Sequence, residues 1–397
     1  AYIWDPVKSI ATPNAQTLVF TLKYPAPLDL IASSGYAAYI YDTKAAGTAN
    51  LHAWFNKAHD AGTGPYTIFS WSKGQENELR LSKFTSYWGG WKGTHYTSVL
   101  FKHVPTPTTR AQLVQSGGVT YTDRLSPQLF ASMKGNSAVK TTQGTSFQNL
   151  IAFLNTASGP LANTHVRQAV ADAIDYKGIV AALKGSVVPA SGFIPKGLIG
   201  YTPGLGYTKN LTRAKALLAR AGYGPGKQAL SLDLTIANGD ADEQLVATII
   251  KADLAALNIK VQVQALEWTT QWDKAKSKNP AQRQDIFVMY WWPDYADPFS
   301  WFINLFHSAD PPYFNMSYLK DKAVDTSIDK LEALTATRRS AAVADYKQLQ
   351  HRLISQAVAI PLYVQKYERV FSNSVGGYVD NPAYPNVVFV YDLRPKS

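Results

Sequence analysis

The sequence predicts an α/β protein made of two lobes. Three observations carry this. From Leu230 to Trp291, strand-like and helix-like stretches alternate, the pattern of an α/β unit. Inside that stretch Ile286, Phe287, Val288, Met289 and Tyr290 form an apolar run with no alternation, as a strand buried on both faces requires. The chain also changes character twice. Before residue 150 it reads as hairpins, in the middle as α/β, and in the tail as strands again. One lobe is therefore expected to hold residues 1–150 plus 365–397, and the other residues 156–355.

Taken in order, residues 16–24 alternate as a strand, with Leu18, Phe20 and Leu22 on one face and Pro25 and Pro27 ending it. Residues 28–34 read as a short helix, and 45–61 as helix and loop. A hairpin follows, Tyr66–Trp71 with Glu78–Leu81 across a turn at 72–75. A strand is predicted at 98–104 and a helix at 108–116, stopped by Gly117 and Gly118. Residues 147–155 form a strongly apolar strand. Asn163 caps a helix whose apolar positions, Val166, Ala169, Val170, Ala173, Ile174 and Val180, keep helical spacing up to Gly185. Helices at 212–221, 240–257 and 268–278 interleave with strands at 230–236, 259–266 and 286–290. Two more helices, 321–334 and 336–357, precede strands at 360–365 and 387–393.

Composition narrows the function. The 397 residues suffice for two or three domains. Twenty-three Tyr and ten Trp, with few charged residues, suit binding through aromatic surface. Cysteine is absent, which excludes disulfides, thiolate metal ligands and a cysteine nucleophile. That usage fits an exported bacterial protein. Net charge is +11, from 39 basic and 28 acidic residues. The basic residues are scattered, with Lys320/Lys322 and Arg338/Arg339 the densest pairs, so no nucleic-acid partner is expected. A diffusely basic surface suits a position near an anionic membrane. No apolar run approaches the ~20 residues of a membrane span. The chain opens at Ala1-Tyr2-Ile3-Trp4 with neither an initiator Met nor a signal peptide, as a processed product does.

The candidate site is the end of the 286–290 strand. Trp291 and Trp292 follow it, Pro293 stops the ladder, and Asp294, Tyr295, Ala296, Asp297 and Pro298 continue as a loop. Ligands of open α/β sheets sit at such a C-terminal edge. Two readings stand. One is a strand end with a Trp wedge and a helix-capping Asp. The other is a pocket with aromatic walls and a carboxylate that pairs with a cation. Gly62 and Gly64 lack the third glycine or the Gly-Lys-Ser/Thr of a phosphate loop. His52, His59 and His307 have no partner at metal-ligand spacing, so no metal site is expected. No G-x-S-x-G or H-E-x-x-H occurs, and an Asp294/Asp297 hydrolytic pair has only proximity behind it, so no catalytic residue, cofactor or enzyme activity is expected.

Several ordered stretches resemble the extracellular solute-binding proteins of family 5, the oligopeptide, dipeptide and nickel-type binding components of ABC importers. They are G-T-G-P-Y at 62–66, Y-W-G-G at 87–90, F-Q-N-L-I-A-F-L-N at 147–155, and G-P-L-A-N-T-H-V-R-Q-A-V-A-D-A-I-D at 159–175. A-K-A-L-L-A-R-A-G-Y at 214–223, D-Y-A-D-P at 294–298 and I-P-L-Y at 360–363 complete the set. The set spans nearly the whole chain. The resemblance implies a two-lobed periplasmic-binding-protein-like fold of class II type, with an interlobe ligand cleft. It implies a monomer that delivers a peptide or similar solute to a membrane permease. It implies a place in the periplasm or at the cell surface, membrane-tethered as a lipoprotein. The acid of the Asp-Tyr-x-Asp-Pro motif, which pairs with a peptide's α-ammonium group in the family, falls on Asp294, and the cleft tryptophan on Trp291. Trp292, Tyr295, Phe147, Asn149 and Tyr363 complete the expected ligand-binding set. Two departures bear on it. The chain starts inside the family's first segment, so pocket residues carried there are missing. The family's Gly-Glu-Ile-Asp-like segment reads G-G-V-T-Y-T-D at 117–123, and no role is carried to it. Oligosaccharide binding and nickel or metal-chelate binding remain as alternatives within the same fold.

Overall fold

Residue contacts divide the chain into two units. One is Ala1–Ala37 with Thr145–Lys366, the other Ala38–Gly144 with Tyr367–Ser397. The computed structural model describes residues 2–47, 50–73, 77–224, 226–227 and 229–396. The composition change had put residues 1–37 with 38–150; the contacts put them with the middle of the chain. The cause is burial. Ile3 and Ile31 are buried in the same core as Phe302, Tyr346 and Leu349, and Tyr2, Trp4 and Leu30 pack against it.

In chain order the strands are β1 (Val7–Asn14), β2 (Thr17–Leu22), β3 (Tyr66–Ser72), β4 (Glu78–Lys83), β5 (Ser98–Lys102), β6 (Tyr121–Asp123), β7 (Val139–Leu154), β8 (Val187–Pro189), β9 (Leu230–Ala237), β10 (Ile259–Leu266), β11 (Ile286–Trp291) and β12 (Ala359–Ser372), followed by a two-residue pair, Val375–Gly376 with Arg394–Pro395. The helices that matter below are α1 (Pro107–Gln115), α2 (Thr164–Ala173), α3 (Tyr176–Ala182), α4 (Leu211–Arg220), α5 (Ala241–Ala255), α6 (Trp268–Ala275), α7 (Phe299–Leu305), α8 (Lys322–Thr337) and α9 (Arg339–Ser355).

The first unit is organised by strands in the order β10-β9-β11-β7-β12, with β8 on β12. β10 and β11 run parallel to β9, and β7 runs antiparallel to β11. Successive residues of the two central strands serve opposite cores. Leu150, Ala152, Leu154, Ile286 and Val288 enter one, with α2, α4 and α5. Ile151, Phe153, Phe287, Met289 and Trp291 enter the other, with α7, α8 and α9. Both faces are covered, which explains the unbroken apolar run.

In the second unit β3, β4 and β5 form an antiparallel sheet. A small core there gathers Ala111, Val114, Phe130, Met133, Val139 and Val370. β6 pairs with Arg369–Phe371 of β12.

Several expectations needed correction. The single helix drawn from Asn163 past Val180 is two helices. Ile174 is extended, and Asp175 starts α3 by accepting from the Gly178 N–H at 2.8 Å. The Asp175 N–H itself donates to Asp253 at 2.8 Å, which holds the break. The tail 387–393 is not a strand. It makes a 3-10 turn at Val390–Asp392, where the Tyr391 ring packs against Tyr87, Trp91 and His95. Strand β1 had no reading of its own in the sequence, and helix α7 only its capping Asp. The hairpin turn at 72–75 falls partly outside the described residues.

Candidate functional site

The parallel strands β9, β10 and β11 deliver their C-terminal ends to one edge of the sheet. β9 ends at Ala237 and leads to Asp240, whose Oδ1 caps α5 by accepting from the N–H groups of Asp242 and Glu243. β10 ends at Leu266 and is followed by Glu267. β11 ends at Trp291, and the loop to α7 carries Asp294 and Asp297. A chain with a net charge of +11 thus collects acidic side chains at this edge. A cation is favoured there by simple electrostatics.

Asp294 is held from two sides. Tyr2 Oη donates to its Oδ2 at 2.8 Å, and Asn304 Nδ2, one α7 turn along, donates to the same oxygen at 3.0 Å. Among the described residues nothing donates to Oδ1. Burial pushes the Asp294 carboxyl above its ordinary range, and the two hydrogen bonds pull it part of the way back. The carboxylate is therefore oriented, partly desolvated and left with one oxygen unused.

Asp297 is different. It is fully buried, and its Oδ1 accepts from the Phe299 N–H and from Tyr346 Oη, both at 2.8 Å. It fixes the start of α7 onto α9. The capping reading of the loop describes Asp297, which takes the Phe299 N–H, while the pocket reading turns on Asp294.

The other expected residues divide. Trp292 and Phe147 keep part of their surface. β11 ends where its Trp291 pairs with Asn149, so Phe147 extends past that end at the same edge. Trp291 is buried and meets Phe314 edge-on with ring centroids 5.1 Å apart. Tyr295 is buried among Asp294, Asp297, Glu332 and Tyr24. Asn149 is fully buried. It donates to the Phe193 carbonyl at 2.9 Å and accepts from Trp301 Nε1 at 3.0 Å. Tyr363 is fully buried and shares a 2.8 Å hydrogen bond with Tyr290. Both are bound into the protein interior. Tyr2 and Asn304 were not legible in advance. Tyr2 lies 292 positions from Asp294, and no local pattern connects them. Asn304 sits on α7, for which the sequence offered only a capping Asp before Pro298 and no extent.

Among the described residues no three His, Asp or Glu side chains converge to hold a metal ion. None of their helices is long and apolar enough to cross a membrane.

The α/β scaffold thus offers an oriented, half-satisfied carboxylate just past the end of β11. The chain belongs to the bacterial extracellular solute-binding proteins, family 5, whose family model (middle part) matches residues 1–313. It is 27% identical over 384 residues to a probable D,D-dipeptide-binding periplasmic protein of Escherichia coli, covering 95% of this chain and 72% of that protein. It is 27% identical over 326 residues to heme-binding protein A of Haemophilus influenzae, covering 81% of this chain and 57% of that protein. The structure also matches a periplasmic binding protein of Helicobacter pylori solved with the peptide STSA. The TM-score is 0.84 at 20% identity, over 100% of this chain and 76% of that one. The two-lobed α/β fold expected from the sequence is the fold of such proteins. The family and these neighbours are solute-binding proteins, not enzymes.

Proposed function

We propose that this protein binds a small solute carrying a free ammonium group, a short peptide in the first instance, with Asp294 as the anchor. In this reading it acts outside the cytoplasm as a monomer tethered at the membrane, catalyses nothing, and passes the solute to an ABC permease. The carrying observation is the free Oδ1 of a carboxylate whose other oxygen takes two fixed donors. Its raised pKa has the right sign. Burial penalises the charged form in the empty protein, and an arriving ammonium relieves that penalty. Coulomb attraction in such a partly desolvated place is several times stronger than in bulk water. The Trp292 and Phe147 rings supply apolar surface beside it, and the relatives named for dipeptides or solved with a peptide support the choice of ligand.

The test is calorimetric titration of a short-peptide library against wild type and Asp294→Asn, beside N-acetylated copies of the best binders. Wild type is expected to prefer the free amine, and the variant to lose a few kcal/mol of affinity, the range for breaking a desolvated charge pair. Equal binding of free and acetylated peptides by both proteins overturns the amine anchor. The sugar or metal-chelate alternative then moves ahead.

A further inference from the structure

One exposed dipeptide at the acidic edge of the sheet carries a chemistry of its own. β9 ends at Ala237, and Asn238-Gly239 bridges it to Asp240, the cap of α5. It is the single Asn-Gly step in the sequence; every other asparagine is followed by a residue with a side chain. Both residues are exposed. Gly239 has φ 82°, and a Cβ added to it would meet nothing within 4 Å, so its surroundings are open. Its N–H has no acceptor among the described residues. The Asn238 side chain is tethered by one bond, from Nδ2 to Glu267 Oε1 at 2.8 Å, and nothing described donates to its Oδ1. The Asn238 N–H donates to the Leu266 carbonyl at 2.7 Å. Residue 238 thus ties the end of β9 to the end of β10 through both backbone and side chain.

An asparagine side chain holds its carboxamide carbon within reach of the next backbone nitrogen, and closing that gap makes a five-membered ring. A side chain on the next residue obstructs the approach. Glycine has none, and its peptide turns freely. We propose that Asn238-Gly239 is a self-acting modification site, where the chain converts its own neutral amide into a carboxylate at the acidic edge. Solvent hydroxide takes the proton of the Gly239 N–H. That nitrogen bonds to Asn238 Cγ, the Cγ–Nδ2 bond breaks, and the leaving nitrogen takes a proton from water and departs as ammonia. The succinimide ring then adds one water. Breaking its Cγ–N bond gives aspartate. Breaking the bond from that nitrogen to the Asn238 backbone carbonyl carbon gives isoaspartate, with the chain rerouted through the side chain. One water enters, one ammonia leaves, and nothing is oxidised or reduced. The product sets an acceptor where Nδ2 donated and a negative charge against Glu267. Like charges in contact repel, so the side-chain tie between the ends of β9 and β10 is lost. The conversion needs no ligand and stands apart from the ammonium reading above.

Peptide mapping by mass spectrometry tests it. The folded protein is held without ligand in mildly alkaline buffer until a synthetic peptide of residues 230–245 has converted fully, then digested in acid, where the reaction stops. The wild-type peptide holding residues 238 and 239 is expected to gain the mass difference between NH2 and OH, to split into aspartyl and isoaspartyl forms, and to release an equal amount of ammonia. It is expected to do so before Asn136 and Asn373, the two asparagines that precede serine. Asn238→Gln, whose ring would need a sixth member, is expected to lose the reaction. Hydrogen exchange reads the consequence: after correction for intrinsic rates, Asn238→Asp is expected to open the bond to Leu266 about fivefold more often than wild type, the weight of one lost hydrogen bond. A wild-type peptide that keeps its mass, or converts only after Asn136 and Asn373, overturns the site, as does an Asn238→Gln peptide that gains mass at the wild-type rate. Unchanged exchange in Asn238→Asp overturns the loosening of the two strand ends.

Discussion

The central strands β7 and β11 and the sheet β3–β5 share a secondary structure and little else. Residues 150–154 and 286–289 are at most 2% exposed, and each strand feeds two cores. In the three-stranded sheet one face gathers Ile68, Trp71, Leu79, Leu81, Val99 and Phe101 by register, yet none of them is fully buried. The opposite face of β4 carries Glu78, Arg80 and Ser82. Apolar character alone therefore does not say how deeply a strand is buried. A run without alternation does, because it demands a cover on both faces.

The largest expected effect tests this directly. Phe153 is fully buried, lies opposite Phe287 and stands 6.4 Å from the Phe306 ring. Phe153→Ala is expected to destabilise the first unit by about 3–5 kcal/mol, the usual cost of emptying a well-packed aromatic site. Leu81→Ala, on the half-covered face of β4, is expected to cost about 1–2 kcal/mol in the second unit, below the range for a fully buried leucine. Denaturant-dependent hydrogen exchange, read separately for peptides of each unit, gives both numbers. Equal costs would erase the distinction drawn from burial.

The same contrast governs how much was readable in advance. The central strands, the helices α4 and α5 and the position of Asp294 at a strand end follow from local patterns: an apolar run, an Asn or Asp cap, a glycine stop. The break at Asp175 did not, because the group that holds it, Asp253, arrives from 78 positions away. Nor did the placement of residues 1–37, which two buried isoleucines and Tyr2 decide through long-range contacts. Asn149 shows the limit for side chains. Its motif marks an important position, while its amide is spent on Phe193 and Trp301. Strand periodicity carries no information about such partners.

Ionisable groups sharpen the comparison next. Glu243, at the start of α5, is 3% exposed and accepts from the Ala237 N–H at 2.7 Å. Burial, then the nearby Asp240, pushes its carboxyl up from 4.5 to about 8; the Ala237 bond lowers it. A folded-state value above the unfolded one means that stability is fullest below pH 4.5 and falls as pH rises toward 8. The fall is expected to be on the order of a few kcal/mol, with Glu332, whose carboxyl burial raises as well, adding a contribution of the same sign. Glu243→Gln should flatten the profile markedly, measured by urea unfolding at pH steps from 4.5 to 8.5. In the small sheet, Glu78 pairs with Lys102 at 3.0 Å near the surface. Glu78→Gln is expected to change stability by less than about 0.5 kcal/mol, as exposed ion pairs do. A Glu243→Gln profile as steep as that of wild type would show that the buried edge carries no proton-linked cost.

The smallest effect compares two helix starts. Asn163 begins α2 with extended backbone and accepts from the His165 N–H at 2.9 Å, satisfying one of the donors that every helix leaves free. Of the eight residues of α2 after Thr164 and His165, seven are buried, Val166, Ala169 and Val170 among them, so fraying there opens a dense core. Asn163→Ala is expected to cost about 1 kcal/mol. Thr106 stands at the matching place before α1 but makes no side-chain capping bond, and Pro107 already removes one free N–H at the first turn. Thr106→Ala is therefore expected to change stability by no more than about 0.3 kcal/mol, since the capping bond whose loss costs more is not there to lose. Exchange rates of the first-turn amides in each helix report the two cases locally. Faster exchange at His165 in Asn163→Ala, with Thr109 and Arg110 unchanged in Thr106→Ala, is the expected pair of results. The reverse pattern would mean that the two helix starts are held by packing alone, and that the difference in burial between the regions does not extend to their ends.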